Sequence, residues 1–367
     1  MTTADPYRAF YDSMPWRKHY DAHRLHGEQA RPFPLYDSLL WAERHFPHRP
    51  FVSFRGHSLS YAEGVVMAER LAAALVALGV KKGDRVGYCM PNHPAFPLMC
   101  FAAWKIGAVA VSISPLFPHG HLQTLIVDSG VRAIITSDDP ALFRRLEAVC
   151  DENGLETKLL LVDPDNGDIA AECSPPRPLP DRCLPLADLL RGAGSVPTAH
   201  VEPLTDLAAI AYTGGTTGKP KGVMLTHSCL SINIQQMCAW FPHVAPGTAS
   251  IVAAAPFSHV GGYGPVTGVI VFLGGELIVQ TRFDAADLLD QIAAGRISML
   301  MLVPTMCVAL CDLMETRPTD WSPVKTVLVG ASPMSDDLRD RFERMTGTSI
   351  ISIYGMTETS PATIYGM

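Results

Sequence analysis

Apolar and polar positions along this chain switch repeatedly between two periods. Residues 63–78 are rich in alanine and leucine at helical spacing and end at Gly79; Lys81-Lys82-Gly83-Asp84 then makes a turn, and the apolar run 85–90 reads as a strand. The same order returns three times: a helix over 95–106 before a strand over 108–113, one over 122–129 before 133–136, and one over 285–294 before 299–303. Helices alternating with buried strands predict an α/β fold in which parallel sheets are covered by helices. Residues 163–202 break the pattern with Pro, Gly and Asp around Cys173-Ser174-Pro175-Pro176-Arg177-Pro178-Leu179-Pro180, the mark of a long loop or lobe boundary. We therefore divide the chain into 1–205, an N-terminal segment with a first αβα lobe, and 206–367, a second αβα lobe. No solenoid repeat is present. The longest apolar stretches, 97–117 and 266–279, are broken by Lys105 or by glycines and fall short of roughly 20 unbroken apolar residues, so they read as buried core.

Composition narrows the function. With 367 residues, 48% of them apolar and 18% charged, the chain can bury a large core. A formal charge of −7 and the lack of any basic run argue against a nucleic-acid partner. Met1-Thr2-Thr3-Ala4-Asp5-Pro6 has no basic segment leading into an apolar one, so no secretory signal is expected and the location expected is cytoplasmic. Peripheral membrane contact stays open, although no amphipathic basic helix demands it. The nine cysteines hold no C-x-x-C pair and read as free, mostly buried thiols. Cys307 and Cys311 lie one helical turn apart with no histidine nearby, and His19, His23 and His26 share helical spacing without a fourth ligand, so neither group reads as a metal site. No G-x-S-x-G occurs, and Ser258 cannot face its own neighbour His259 as a hydrolase triad requires. Gly262-x-Gly264 leads to Thr267 where a dinucleotide fingerprint needs glycine.

One stretch carries chemistry. Tyr212-Thr213-Gly214-Gly215-Thr216-Thr217-Gly218-Lys219-Pro220-Lys221-Gly222 is dense in glycine, hydroxyl and lysine between two apolar segments. Glycines let successive N–H groups point into one concavity, threonines add donors, and Lys219 and Lys221 add positive charge, all suited to a polyphosphate such as ATP. A P-loop NTPase fails on two positions: Thr213 stands where the first glycine belongs, and Pro220 replaces the Ser/Thr that would hold magnesium.

Tyr212-Thr-Gly-Gly-Thr-Thr-Gly-Lys-Pro-Lys-Gly-Val-Met-Leu-Thr-His227 resembles the signature loop of the adenylate-forming superfamily, which includes acyl-CoA ligases, firefly luciferase and the adenylation domains of peptide synthetases. Further stretches fall in that family's order: Leu59-Ser60-Tyr61-Ala62-Glu63, Trp104-Lys105-Ile106-Gly107-Ala108 with Ser114-Pro115-Leu116, Pro256-Phe257-Ser258-His259-Val260-Gly261-Gly262, Gly330-Ala331-Ser332-Pro333, and Tyr354-Gly355-Met356-Thr357-Glu358. The resemblance spans nearly the whole chain. It implies two helix-covered, mainly parallel sheet lobes of an adenylate-forming N-terminal domain.

It also implies a reaction. A carboxylate attacks the α-phosphorus of ATP, pyrophosphate leaves, and the acyl-adenylate is taken by the thiol of coenzyme A; charge stabilisation dominates such a step. By resemblance, Thr213, Gly214, Gly215, Thr216, Thr217, Gly218 and Lys219, with Lys221, would hold the phosphates. Gly330, Ala331 and Ser332 would flank the adenine, and Tyr354, Gly355 and Met356 would close the nucleotide site, Tyr354 by stacking. Thr357 would hydrogen-bond the reacting groups and Glu358 would ligate Mg2+, for which hard oxygens are suited. Phe257, His259, Gly261 and Tyr263 would line the acyl pocket, with His259 counted among the catalytic positions and Tyr263 where some long-chain ligases place an aromatic gate.

Phe257-Ser258-His259 has no Asp to pair with a substrate ammonium, which sets amino acids aside. Pro15-Trp16-Arg17-Lys18-His19-Tyr20, Ser114-Pro115-Leu116-Phe117 and Asp128-Ser129-Gly130 resemble medium- to long-chain fatty acyl-CoA ligases, so a fatty acid is the expected substrate. An aryl-CoA ligase, or a nucleotide- or acyl-binding module without turnover, remains the alternative, and a homodimer stays open. The family places a smaller lid domain after its closing motif, whereas this chain stops at Met367, nine residues beyond Glu358. The expectation is a truncated domain, without the lid and most of a small β-barrel, that turns over little on its own.

Overall fold

The computed structural model of the protein describes residues 29–175, 178–214, 220–241 and 243–366. His19, His23, His26 and the stretch Pro15-Trp16-Arg17-Lys18-His19-Tyr20 lie outside the described residues.

The strands form two sheets. The first has the order β7 (Cys183–Pro185), β6 (Lys158–Val162), β5 (Ala133–Ser137), β3 (Arg85–Cys89), β4 (Val109–Ser112), β8 (Leu207–Thr213) and β9 (Lys221–Thr226). All pairs are parallel except the hairpin β8–β9. The second has the order β15 (Ala362–Gly366), β14 (Ile350–Gly355), β13 (Thr326–Val329), β12 (Met299–Leu302), β10 (Ser250–Ala253), β11 (Glu276–Val279), β1 (Pro50–Phe54) and β2 (His57–Ser60). It is parallel except for the two edge strands, β2 and β15. These are the two mainly parallel sheets that the resemblance implied. Sheet membership does not follow chain order: β1 pairs with the late strand β11 and carries β2 at the edge, whereas β8 and β9 complete the early sheet.

The predicted helices appear at Tyr61–Ala77, Ala95–Lys105, His119–Ser129 and Ala285–Ala293. Their limits are set by caps. Ser60 accepts from Glu63 N while the Glu63 carboxylate accepts from Ser60 N, a reciprocal capping box, and Asp284 accepts from Ala286 N and Asp287 N. Gly130 ends its helix at φ +57°, a left-handed position where glycine carries no Cβ penalty. The Pro-rich region 163–202 is not loop throughout, because Cys183–Pro185 adds a parallel edge strand to β6 and Leu186–Arg191 makes a short helix over buried Leu186, Ala187 and Leu190. Three apolar residues in a single turn were too short a signal to read among the prolines.

Side chains of the second sheet alternate between two cores, which explains its uninterrupted apolar strands. Ile251, Ala253, Leu277, Val279 and Leu328 face the core shared with the first sheet, whereas Val252, Ala254, Ile278, Val327 and Val329 face a second core. That second core is roofed by the helices Ala285–Ala293, Pro304–Met314 and Asp336–Thr346. Between the sheets, every residue of helix Ala95–Lys105 is buried, as an all-round apolar helix must be. Even Lys105 is enclosed, with its Nζ 3.0 Å from Glu69 and over the Tyr36 ring. Six of the nine cysteines are buried and all are free; burial pushes the Cys89 and Cys307 thiols up to about 12, so they behave as core groups. Among the described residues no helix is long and apolar enough to cross a membrane.

Two histidines couple this core to pH. His93 and His227 are fully buried; His93 Nδ1 accepts from Ala95 N and His227 Nδ1 accepts from Leu35 N, each at 3.1 Å. Burial lowers both from 6.5 to about 4, so each is neutral in the folded protein. The unfolded chain binds protons first, so their contribution is complete above pH 6.5 and is lost as pH falls to about 4. Each contributes roughly 3 kcal/mol over that window. Denaturant unfolding at stepped pH is expected to show the loss, and His227→Gln is expected to flatten it.

Candidate active site

The strands β10, β12, β13 and β14 run parallel, so their C-terminal ends share one edge of the sheet, the place where open α/β sheets gather ligand-binding loops. The stretches Gly330–Ser332 and Tyr354–Glu358 fall on this edge, on neighbouring strands. Gly330 follows β13, donating to Leu302 O at 3.2 Å, and a Cβ there would stand 2.8 Å from Ile353 O of β14, so only glycine permits the approach. Ala331 next to it has φ +69°, a left-handed conformation that costs a residue with a Cβ roughly 1–2 kcal/mol, and Ser332 is exposed.

Tyr354 is 61% exposed at the end of β14, leaving its ring free as a flat apolar surface. After Gly355 and the exposed Met356, residues Thr357–Thr359 form a single turn. The Thr359 hydroxyl accepts from Met356 N at 3.2 Å and lies 2.9 Å from Pro361 O, which fixes that turn. Thr357 is half-buried and Glu358 exposed. Strand β9 of the other sheet lies against this turn.

Lys221 begins β9, directly opposite Thr213 in the hairpin. The base of the hairpin is tied down by Tyr212, whose hydroxyl donates to Asp128 at 2.6 Å. Thr213 is half-buried and Gly214 exposed, whereas Gly215, Thr216, Thr217, Gly218 and Lys219 lie outside the described residues. Among the described residues neither Lys221 nor Glu358 makes an ion pair.

The stretch Pro256–Gly262 follows β10. His259 is exposed and its Nδ1 accepts from Gly261 N at 3.1 Å; the protein packed around it lowers its pKa, so the ring is neutral. Gly261 is half-buried. The other two predicted pocket residues are core side chains. Phe257 stacks on Phe96 at 4.6 Å, and fully buried Tyr263 packs on the same ring at 5.2 Å with its hydroxyl unpartnered. Tyr263 opens a π-helical segment, Tyr263–Gly268, whose Gly268 is so close to helix His227–Cys238 that a Cβ would meet Ile234 at 2.3 Å. On the other side of Ser258 opens a cleft of about 1190 Å³ lined by Met90, Asn92, Pro256, Ile278 and Arg282. Sequence reasoning missed this cleft and Asn92, because the signal is a meeting of two strand ends distant in the chain.

The family model described as AMP-binding enzyme matches residues 39–367. The chain belongs to the AMP-binding enzyme family. A long-chain-fatty-acid–CoA ligase of Bacillus subtilis is 29% identical over 95% of this chain and 64% of its own length. A feruloyl-CoA synthase of Amycolatopsis is 32% identical over 87% of this chain and 58% of its own. The crystal structure of ATP-bound MatB from Rhodopseudomonas palustris superposes with a TM-score of 0.76 at 27% identity, covering 92% of this chain and 63% of that one. The AMP-binding chain thus spans less than two thirds of the length of each of these proteins. The adenylate-forming resemblance read from its motifs is correct, and the family is one of acyl- and aryl-CoA ligases.

Proposed function

We propose that the complete gene product is an ATP-dependent acid–thiol ligase that activates a medium- to long-chain fatty acid and passes it to coenzyme A. The observation that carries this reading is the meeting of three elements: the Gly330–Ser332 loop, the Tyr354–Glu358 turn, and β9 with Lys221. The substrate carboxylate oxygen bonds to the α-phosphorus of ATP, and the bond to the bridging oxygen breaks, so pyrophosphate leaves with the electron pair. The acceptor thiolate then bonds to the acyl carbon and AMP departs, the thiol proton going to solvent.

In this reading Tyr354 stacks on adenine, Gly330 and Ala331 let the backbone lie along the ring edge, and Thr357 donates to the α-phosphate or carboxylate. Lys221 and Thr213 take the charge of the outer phosphates with the loop Gly214–Lys219. Neutral His259 lines the acyl side. Mg2+ would be held by one carboxylate, Glu358, together with phosphate oxygens, the hard donors that ion takes. That ion would neutralise charge on the departing pyrophosphate.

The similarity over 95% of the chain to a long-chain-fatty-acid–CoA ligase favours an alkyl acid. The feruloyl-CoA synthase at 32% identity supports an aryl acid as the second reading. Thioester formation from ATP, CoA and a panel running from octanoate to palmitate beside cinnamates and benzoates is the test. We expect kcat/KM to peak on an alkyl acid. A peak on a cinnamate selects the aryl reading, and ATP binding without product on any acid selects the binding module.

A further inference from the structure

Two buried side chains of the first sheet grip the loop that follows β10 of the second. Asn92, in the turn between β3 and helix Ala95–Lys105, is 4% exposed. Its Nδ2 donates to Ala253 O at 3.1 Å and to Ala255 O at 2.9 Å, while its Oδ1 accepts from Phe257 N at 2.7 Å. Reversing the amide would set an oxygen against two carbonyls and an NH2 against an N–H, so the three partners fix its orientation. Ser112, 2% exposed at the end of β4, donates to Ser258 O at 3.2 Å. The Phe96 ring stacked on Phe257 completes the grip.

This grip reaches His259 through a turn with little slack. His259 N donates to Pro256 O at 3.0 Å and Gly262 N donates to His259 O at 2.9 Å. A Cβ at Gly262 would lie 2.9 Å from Phe257 O, so the turn is packed back onto the residue that Asn92 holds. Ala253 O, at the end of β10, also accepts from Gln280 N, whereas Ala255 O and Phe257 N lie beyond the sheet ladder, and buried backbone groups need partners. One asparagine supplies three of them. Aspartate would face two carbonyls with a carboxylate, serine lacks the second donor, and alanine leaves Ala255 O and Phe257 N without their partner, Ala253 O keeping the bond from Gln280 N.

We propose that Asn92 is a positioning residue. Anchored in the first sheet, it sets the height of the 253–259 loop of the second, and so the acid-binding side of the site, without touching substrate or ATP. The inference rests on the proposed reading of His259 as an acyl-side residue. Because Asn92 also lines the cleft beside Ser258, it fixes the wall between that cleft and the acid's position.

The test is steady-state kinetics of the complete gene product with Asn92→Ala and Ser112→Ala, alongside amide exchange of the peptide covering 254–262. Asn92→Ala is expected to raise KM for the acid about tenfold or more and to leave KM for ATP within about twofold. Ser112→Ala is expected to shift the same constant less, and it carries the test if Asn92→Ala fails to fold. Exchange over 254–262 is expected to quicken in Asn92→Ala while exchange in β5 holds. Equal rises in both KM values, or a lower melting temperature with both unchanged, would overturn the positioning role. Wild-type protein that consumes no acid while exchange still quickens would instead overturn the acyl reading and, with it, the role assigned to the grip.

Discussion

Alanine in place of Gly355 is expected to abolish acid activation and to lower stability by roughly 3 kcal/mol. Gly355 closes β14 where its register with β15 slips, and a Cβ there would stand 1.8 Å from Pro361 O and 2.8 Å from Pro361 C. Both atoms belong to backbone, so no side chain can swing aside. The strand pair must part, which breaks the 3.0 Å bond from Met356 N to Pro361 O and releases the turn that carries Thr357 and Glu358. Thermal melting and an ATP titration of Gly355→Ala check this together. A variant that melts with the wild type and binds ATP as tightly would show that the turn is not built as described.

Lys221→Ala and Glu358→Ala are expected to act in the opposite way on stability and in the same direction on turnover. Both side chains are exposed and make no ion pair among the described residues, so their removal is expected to shift stability by no more than about 0.5 kcal/mol. If they face the phosphates and their metal, each removes charge that grows in importance as pyrophosphate leaves, and kcat is expected to fall by about 10²–10³. Rate loss with intact melting separates a site from a scaffold. Full activity in either variant would remove that residue from the proposed chemistry.

Much of this was legible in the residues because it is local. Helix–strand alternation depends on neighbours within a few positions, and the predicted helices and strands lie where that signal falls. What could not be read depends on pairing between distant segments. That β1 and β2 join strands some two hundred residues later is set by the partner Leu277 opposite Val52, which no periodicity in 50–60 encodes. Tyr263 carries the same residue name whether it lines a pocket or the core; its place against Phe96 is decided by a helix 160 residues upstream. Ala331 at positive φ is likewise invisible, since alanine signals helix and the strain is imposed by strand ends on either side. The candidate site was readable as motifs, whereas the grip of Asn92 emerged only where two sheets meet.

Exchange of radiolabelled pyrophosphate into ATP by the complete gene product, with and without carboxylic acid and Mg2+, tests the central claim most directly. Attack of a carboxylate on the α-phosphorus makes the first step reversible through pyrophosphate. We therefore predict exchange that requires both the acid and Mg2+ and that collapses in Glu358→Ala. ATP consumed to ADP and phosphate, or exchange indifferent to every acid, would contradict the account.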